Sequence, residues 1–309
     1  MSAEASGTRG PAAGRALPLT AGVWLVVLMA SWGFQLVTVK LALPEMSAAA
    51  QSLVRAILAT ALLSGWMRLR GEPMLVRDAA LAPGLWVGSV FAVEFLLIFG
   101  GLAFTTASRG VIFLYSMPLF TAGLARLFLP AERLDLWQTA GLGAAFLGLV
   151  VAFADGLGAP TAPNAWIGDL MMLSAAFLWA SSNIVIKATA LRAAPATRVL
   201  WYQLALSIPV SAIAVALEPR ALPASLSPGV LLVILYQSVW VAFLTYLVWF
   251  RLMARHPVPI LAAFSFLSPL FAVLFGHLLL GERLDWRLGA ALALVIGGMV
   301  LINRPKSGR

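Results

Sequence analysis

Apolar residues in this chain neither alternate nor form narrow stripes; they come in long runs separated by short polar clusters. Ten runs can be drawn, at 20–43, 47–67, 79–104, 106–129, 134–153, 165–189, 196–217, 228–252, 257–280 and 285–303. Each is near the ~20 residues that a helix needs to cross a bilayer. Lipid offers no hydrogen bonds to the backbone, so spanning segments are helices or closed barrels. Unbroken runs, rather than ten-residue alternation, select helices. The expected fold class is therefore all-α, a polytopic membrane protein with ten transmembrane helices. The third and fourth runs are parted only by Thr-Thr-Ala-Ser-Arg at 105–109. Residues 1–18 are small, polar and rich in Pro and Gly, and read as a disordered tail, with a second short tail at 304–309. The first apolar run is too long for a signal-peptide core and should remain as a span.

The pattern repeats. SMPLFTAGLARLFLPAERLD at 116–135 returns as LSPLFAVLFGHLLLGERLD at 267–285. Trp32 and Lys40 recur 147 residues later as Trp179 and Lys187. The halves are 19–153 and 165–303, with the linker ADGLGAPTAPN at 154–164 between them. Five spans per half is an odd number, so the second half must enter the membrane inverted, as in known transporter architectures.

Composition narrows the chemistry. Of 309 residues, 61% are hydrophobic and 11% charged, which a water-soluble fold could not hide. There is no cysteine, which excludes disulfides and thiolate chemistry, and only two histidines, so no metal site and no cofactor are expected. The net charge of +9 reflects helix ends rather than nucleic-acid binding, because no basic patch interleaved with aromatics occurs. With the N-terminus inside, fifteen Lys and Arg fall on the inner side and five outside. That bias places both termini in the cytoplasm. No phosphate-binding G-x-x-x-x-G-K-[ST] loop exists, which disfavours an ATP-driven pump. Among the carboxylates only Glu94 is deep in a span, and no metal or carboxylate cluster appears, which disfavours an enzyme. A channel remains a third class; kinked, inverted halves favour alternating access over it.

Candidate residues follow from polarity at depth, since polar groups inside a membrane are costly and tend to be functional. The substrate-binding set is Trp32 and Gln35 in span 1, Glu94 and Phe99 in span 3, Tyr115 in span 4, Trp179 and Asn183 in span 6, Tyr236, Gln237 and Trp240 in span 8, and Ser265 in span 9. Tyr236, Trp240 and Phe243 share a face at helical spacing. Pro118 and Pro269 are the expected hinges: each removes the N–H that would bond the carbonyl four residues earlier. Glu94 and Arg55 lie at similar depths, so Glu94 is either half of a structural ion pair or a cavity group that carries a proton or meets a substrate ammonium. Lys40 and Lys187 are read as span-end lysines reaching the interface. The Glu-Arg-Leu-Asp motifs are read as caps of spans 5 and 10. Small-residue ladders at Ala140, Ala144, Gly148 and Gly289, Ala293, Gly297 allow close packing within a monomer, with a dimer contact as the alternative.

These motifs carry a resemblance. W-x7-K in spans 1 and 6, GDLMMLSAAFLWA at 168–180, and Pro followed by Glu-Arg-Leu in spans 4 and 9 make residues 20–303 similar to the drug/metabolite transporter superfamily of the EamA type. The aromatic-rich spans resemble bacterial exporters of aromatic and hydrophobic amino acids. The resemblance implies a central cavity lined by spans 1, 3, 4, 6, 8 and 9, and export of a small organic solute through the bilayer. Other metabolites or drugs, such as amines or nucleotide precursors, are the alternative substrates.

Overall fold

A computed structural model describes residues 17–102, 104–158, 163–218, 225–281 and 286–304. Every regular element among them is helical. The bundle helices are α1 (Leu19–Ala42), α2 (Ala48–Leu69), α3 (Leu81–Leu102), α4 (Ala107–Leu114 and Met117–Phe128), α5 (Leu136–Ala152), α6 (Ala165–Ala188), α7 (Ala196–Leu217), α8 (Pro228–Arg255), α9 (Val258–Leu280) and α10 (Trp286–Ile302). Eight are long and apolar enough to cross a membrane; α5 and α10 have 17 residues each. Seventeen residues still span ~26 Å, at the short end of what a bilayer accepts. The protein is thus a multi-pass membrane protein. Large apolar side chains such as Leu62, Ile213, Leu232 and Val300 point outward, as lipid permits.

Packing reveals the inverted repeat. Helix α1 packs on α9 and α8, and α6 packs on α4 and α3. Helix α2 meets α7 and α8, while α7 meets α2 and α3. Helices α4 and α9 touch, and α5 pairs with α10. Exchanging each helix n of the first half with n+5 of the second returns the same set, which is a two-fold relation. Each of these pairs joins one half to the other, so the halves interleave around a shared core that includes Leu25, Met29, Tyr202 and Phe266.

Small residues set the closest approaches. A Cβ on Gly33 would lie 2.5 Å from the Ser268 carbonyl, so α1 lies directly against α9. A Cβ on Gly141 would lie 2.5 Å from the Gly298 carbonyl at the α5–α10 seam. The seam uses Gly141, Ala145 and Gly148 against Ala291, Val295 and Gly298, all buried. This corrects the expected ladders: Ala140, Gly289, Ala293 and Gly297 are exposed, Ala144 is half-buried, and Gly148 belongs to the contact. Both ladders have helical spacing, and spacing alone does not say which face meets a partner.

Two irregularities were not legible from apolar length. Helix α8 contains a π-helical segment, Tyr236–Thr245, between α-helical ends. A π turn holds more residues than an α turn, yet the expected neighbours stay close: Tyr236 and Trp240 both reach Ser31, and Trp240 and Phe243 line one groove. Helices α4 and α9 break just before their prolines. Helix α4 stops at Leu114 and restarts at Met117; α9 passes through a tight turn, Phe264–Phe266, before Leu267. In both, a serine hydroxyl near the break bonds a carbonyl three residues back: Ser116 to Phe113 at 2.6 Å, Ser265 to Ala262 at 2.7 Å.

Helix ends carry further corrections. Asp135 caps α5, accepting the Gln138 N–H at 2.8 Å while the Gln138 side chain accepts the Asp135 N–H at 3.1 Å. Glu132 does not cap α5. Its carboxylate accepts the Val258 N–H at 2.7 Å at the start of α9 and pairs with Lys187 at 2.7 Å. Lys187 is buried and also donates to the His256 carbonyl at 3.0 Å, so it does not reach out to the interface. The second motif, residues 282–285, lies outside the described residues.

Candidate functional site

The centre of the bundle is aromatic. Trp32 of α1 is 5.2 Å from Tyr246 and 5.5 Å from Trp249, both on α8, centroid to centroid. Its indole N–H donates to the Thr245 hydroxyl at 2.9 Å, and Thr245 donates on to the Val241 carbonyl at 2.6 Å. The indole is thereby fixed and its polar edge satisfied. On α3, Phe91 meets Tyr246 edge-on at 6.2 Å and Phe95 at 5.0 Å. Tyr115 meets Trp179 of α6 edge-on at 6.3 Å.

Tyr115 also links the two broken helices. It stands at the break in α4, and its hydroxyl donates to Ser268, the residue before Pro269, at 3.2 Å. The expected hinge positions Pro118 and Pro269 therefore flank one hydrogen bond between inverted equivalents. Both prolines are buried.

Charge enters from α2 and α3. The Arg55 guanidinium lies 5.1 Å from the Phe95 ring centre, in cation–π range. Glu94 is 5% exposed, and its Oε2 has no hydrogen-bond partner. Tyr246 interacts electrostatically with Arg55, Glu94 and Tyr115, which places all four in one neighbourhood. Among the described residues Glu94 and Arg55 form no ion pair with each other.

The other expected site residues are distributed more widely. Asn183 is buried between α6 and α4, its amide 3.9 Å from the Met117 sulfur. Gln35 is half-buried and its side chain makes no hydrogen bond to a described residue. Gln237 donates to Gln51 at 3.0 Å, and Gln51 donates to the Met46 carbonyl at 2.9 Å, a polar chain through α8 and α2. Tyr236 donates to the Ser31 carbonyl and Trp240 to the Ser31 hydroxyl, both at 2.9 Å. Trp240 lines a groove with Trp24, Trp66, Phe243 and Thr245, the residue that accepts the Trp32 indole N–H. Ser265 is spent on its backbone bond within α9. The Phe99 side chain lies outside the described residues.

Sequence reasoning passed over Phe91, Thr245, Tyr246 and Trp249. Thr245 ends the π segment and Tyr246 and Trp249 follow it, on the side of α8 that meets Trp32; no motif in the sequence marks them.

Each end of the bundle is tied by ions. At the end bearing the chain termini, Lys187–Glu132 joins α6 to the end of α4, and Arg198 pairs with Asp78 at 2.8 Å. Arg198 holds the Asp78 carboxyl below its ordinary range. At the opposite end Arg109 pairs with Asp169, which also accepts the Thr105 hydroxyl at 2.6 Å, and Arg287 pairs with Asp155. The Arg287 pairing depresses the Asp155 carboxyl likewise.

Two inverted five-helix halves, broken helices at mid-depth and an enclosed polar-aromatic centre define a membrane transporter. The chain belongs to the EamA-like transporter family, whose model matches it twice, at residues 19–154 and 166–304. It is 26% identical over 296 residues to a protein of Escherichia coli (strain K12) described as a probable amino-acid metabolite efflux pump, covering 91% of this chain and 93% of that protein. An uncharacterized transporter of Archaeoglobus fulgidus is 23% identical over 286 residues, covering 90% of this chain and 95% of its own. A crystal structure superposes with a TM-score of 0.73 at 21% identity, covering 92% of this chain and 97% of that one, which supports the fold.

Proposed function

We propose that this protein exports neutral aromatic or other hydrophobic amino acids by alternating access. The observation that carries the reading is the enclosed aromatic cluster of Trp32, Phe91, Phe95, Tyr246 and Trp249 with ionisable groups at its edge. An apolar enclosure with few polar anchors suits a ligand that is mostly ring or hydrocarbon with one charged end. The Escherichia coli relative, described as a probable amino-acid metabolite efflux pump, supports an amino-acid substrate and the outward direction. The breaks at Pro118 and Pro269, joined through Tyr115 and Ser268, serve as the points about which the half-helices move. The protein works as a monomer in the bacterial inner membrane, with both termini cytoplasmic.

The test is counterflow in liposomes. Purified protein should exchange labelled phenylalanine against internal phenylalanine or leucine, saturably. Trp32→Ala and Trp249→Ala should each raise the half-saturating concentration at least about fivefold, since each removes an aromatic face. Unaltered kinetics in both folded variants would show that the cluster is scaffold, and an absence of counterflow with any amino acid would sink the substrate class.

A further inference from the structure

Two opposite charges are enclosed beside the aromatic cluster, and they do not satisfy each other. Glu94 is 5% exposed, its Oε2 lacks any partner, and no hydrogen bond or ion pair to a described residue is made by its side chain. Arg55 sits between helices, over the face of Phe95, yet keeps part of its surface accessible. Tyr246, which feels both charges, packs against Trp32 with ring centres 5.2 Å apart and planes tilted by 32°.

Elsewhere in the protein, acids and bases near the bundle ends are paired: Lys187 with Glu132, Arg109 with Asp169, Arg198 with Asp78. At depth, Glu94 and Arg55 both act on Tyr246 yet form no ion pair with each other among the described residues. An unpaired charge inside a membrane protein is costly, and such groups mark ligand paths. A structural pair would close up; a lone proton carrier would not need the arginine.

We propose that Glu94 and Arg55 together read an α-amino acid zwitterion: Glu94 receives the substrate ammonium, Arg55 receives its carboxylate, and Trp32, Phe95 and Tyr246 hold the side chain. This deepens the amino-acid reading above and rests on it. An α-amino acid carries its two charges on one carbon and would present both to groups that share the Tyr246 neighbourhood. Guanidinium offers a planar fork that matches a carboxylate, and the Phe95 ring holds that fork in place. A ligand lacking either charge would leave one protein group stranded, so the site discriminates against simple amines and simple acids more sharply than an aromatic box alone would.

The experiment compares three ligands that share a ring: phenylalanine, phenethylamine and 3-phenylpropionate. Binding is read as ligand-induced stabilisation of the purified full-length protein, and transport as competition with labelled phenylalanine in liposomes. The wild type should bind phenylalanine at least about tenfold more tightly than either analogue, because each analogue strands one buried group. Glu94→Gln should weaken phenylalanine and narrow or reverse its advantage over 3-phenylpropionate. Arg55→Met should narrow or reverse its advantage over phenethylamine. A merely structural role would lower all three ligands together and leave their ranking intact. Equal binding of the three by the wild type overturns the proposal and leaves the amino-acid reading standing; that comparison needs no variant, so misfolding of either one does not block it. Preserved ranking in both folded variants overturns it equally. If phenylalanine and leucine neither bind nor exchange, the amino-acid reading itself fails and the zwitterion site falls with it.

Discussion

Replacing Lys187 by Met tests whether the terminal end of the bundle is held by a buried ion pair. Lys187 lies 2.7 Å from Glu132, with the two side chains only 7% and 16% exposed. Glu132 also accepts the Val258 N–H, and Lys187 donates to the His256 carbonyl, so the pair fastens α4, α6 and the start of α9 together. Exposed ion pairs contribute ~0–1 kcal/mol, whereas breaking a fully buried one costs ~3–5 kcal/mol. Glu132 keeps one backbone donor and some solvent, so Lys187→Met should cost about 2–3 kcal/mol. Methionine retains the packing of the lysine stem, which confines the change to the charge. Glu132→Gln should cost a similar amount, and the double variant should cost less than the sum by about 1–2 kcal/mol. Unfolding titrations of the four proteins in one detergent give the cycle. The chain has no cysteine, so Met253→Cys, buried nearby, reports opening through its rate of thiol labelling. Labelling should accelerate in the Lys187→Met background. Singles within about 0.5 kcal/mol of wild type, or strictly additive costs with unchanged labelling, would refute the latch.

Gly141→Ile should destabilise by about 1–3 kcal/mol or block folding, because its Cβ would stand 2.5 Å from the Gly298 carbonyl. Gly143→Ile, two residues on with nothing within 4 Å, should be near neutral, and equal losses in both would refute the assigned seam. His256, in the turn between α8 and α9, has its pKa lowered by burial, then by Lys187 and Arg255. The unfolded chain therefore takes up this proton first, so the contribution to stability is complete above about pH 6.5 and is lost as pH falls toward the lowered folded value. The melting temperature should fall on acidification through that window, and His256→Gln should flatten the fall; an unaltered profile would contradict this. Asn164→Cys, at the exposed last residue of the linker, should react with impermeant thiol reagents from outside intact cells, and labelling only from the cytoplasmic side would invert the proposed orientation.

What the sequence determined by itself was everything that depends on solvent and on repetition. Runs of apolar residues too long to hide in water dictate membrane helices, and the Pro-Leu-Phe copies at 118–120 and 269–271 mark the inverted halves, whatever packs against what. It also singled out Glu94 and Arg55, because charge at depth stands out in an apolar run. Facing was left to the tertiary structure. Nearly every position on these helices is apolar, so period carries little information about which side meets protein and which meets lipid. That is why the α5–α10 seam runs through Gly141 and Gly298 rather than Ala140 and Gly297. Nor did apolar length foretell the π segment in α8, just beyond which Tyr246 and Trp249 meet Trp32. Lys187 and Glu132 looked like separate helix-end charges because they lie 55 positions apart; only the interleaving of the two halves makes them neighbours. Local sequence sets solvent and helix breaks, whereas long-range contacts between inverted halves decide which side chains share one enclosed space.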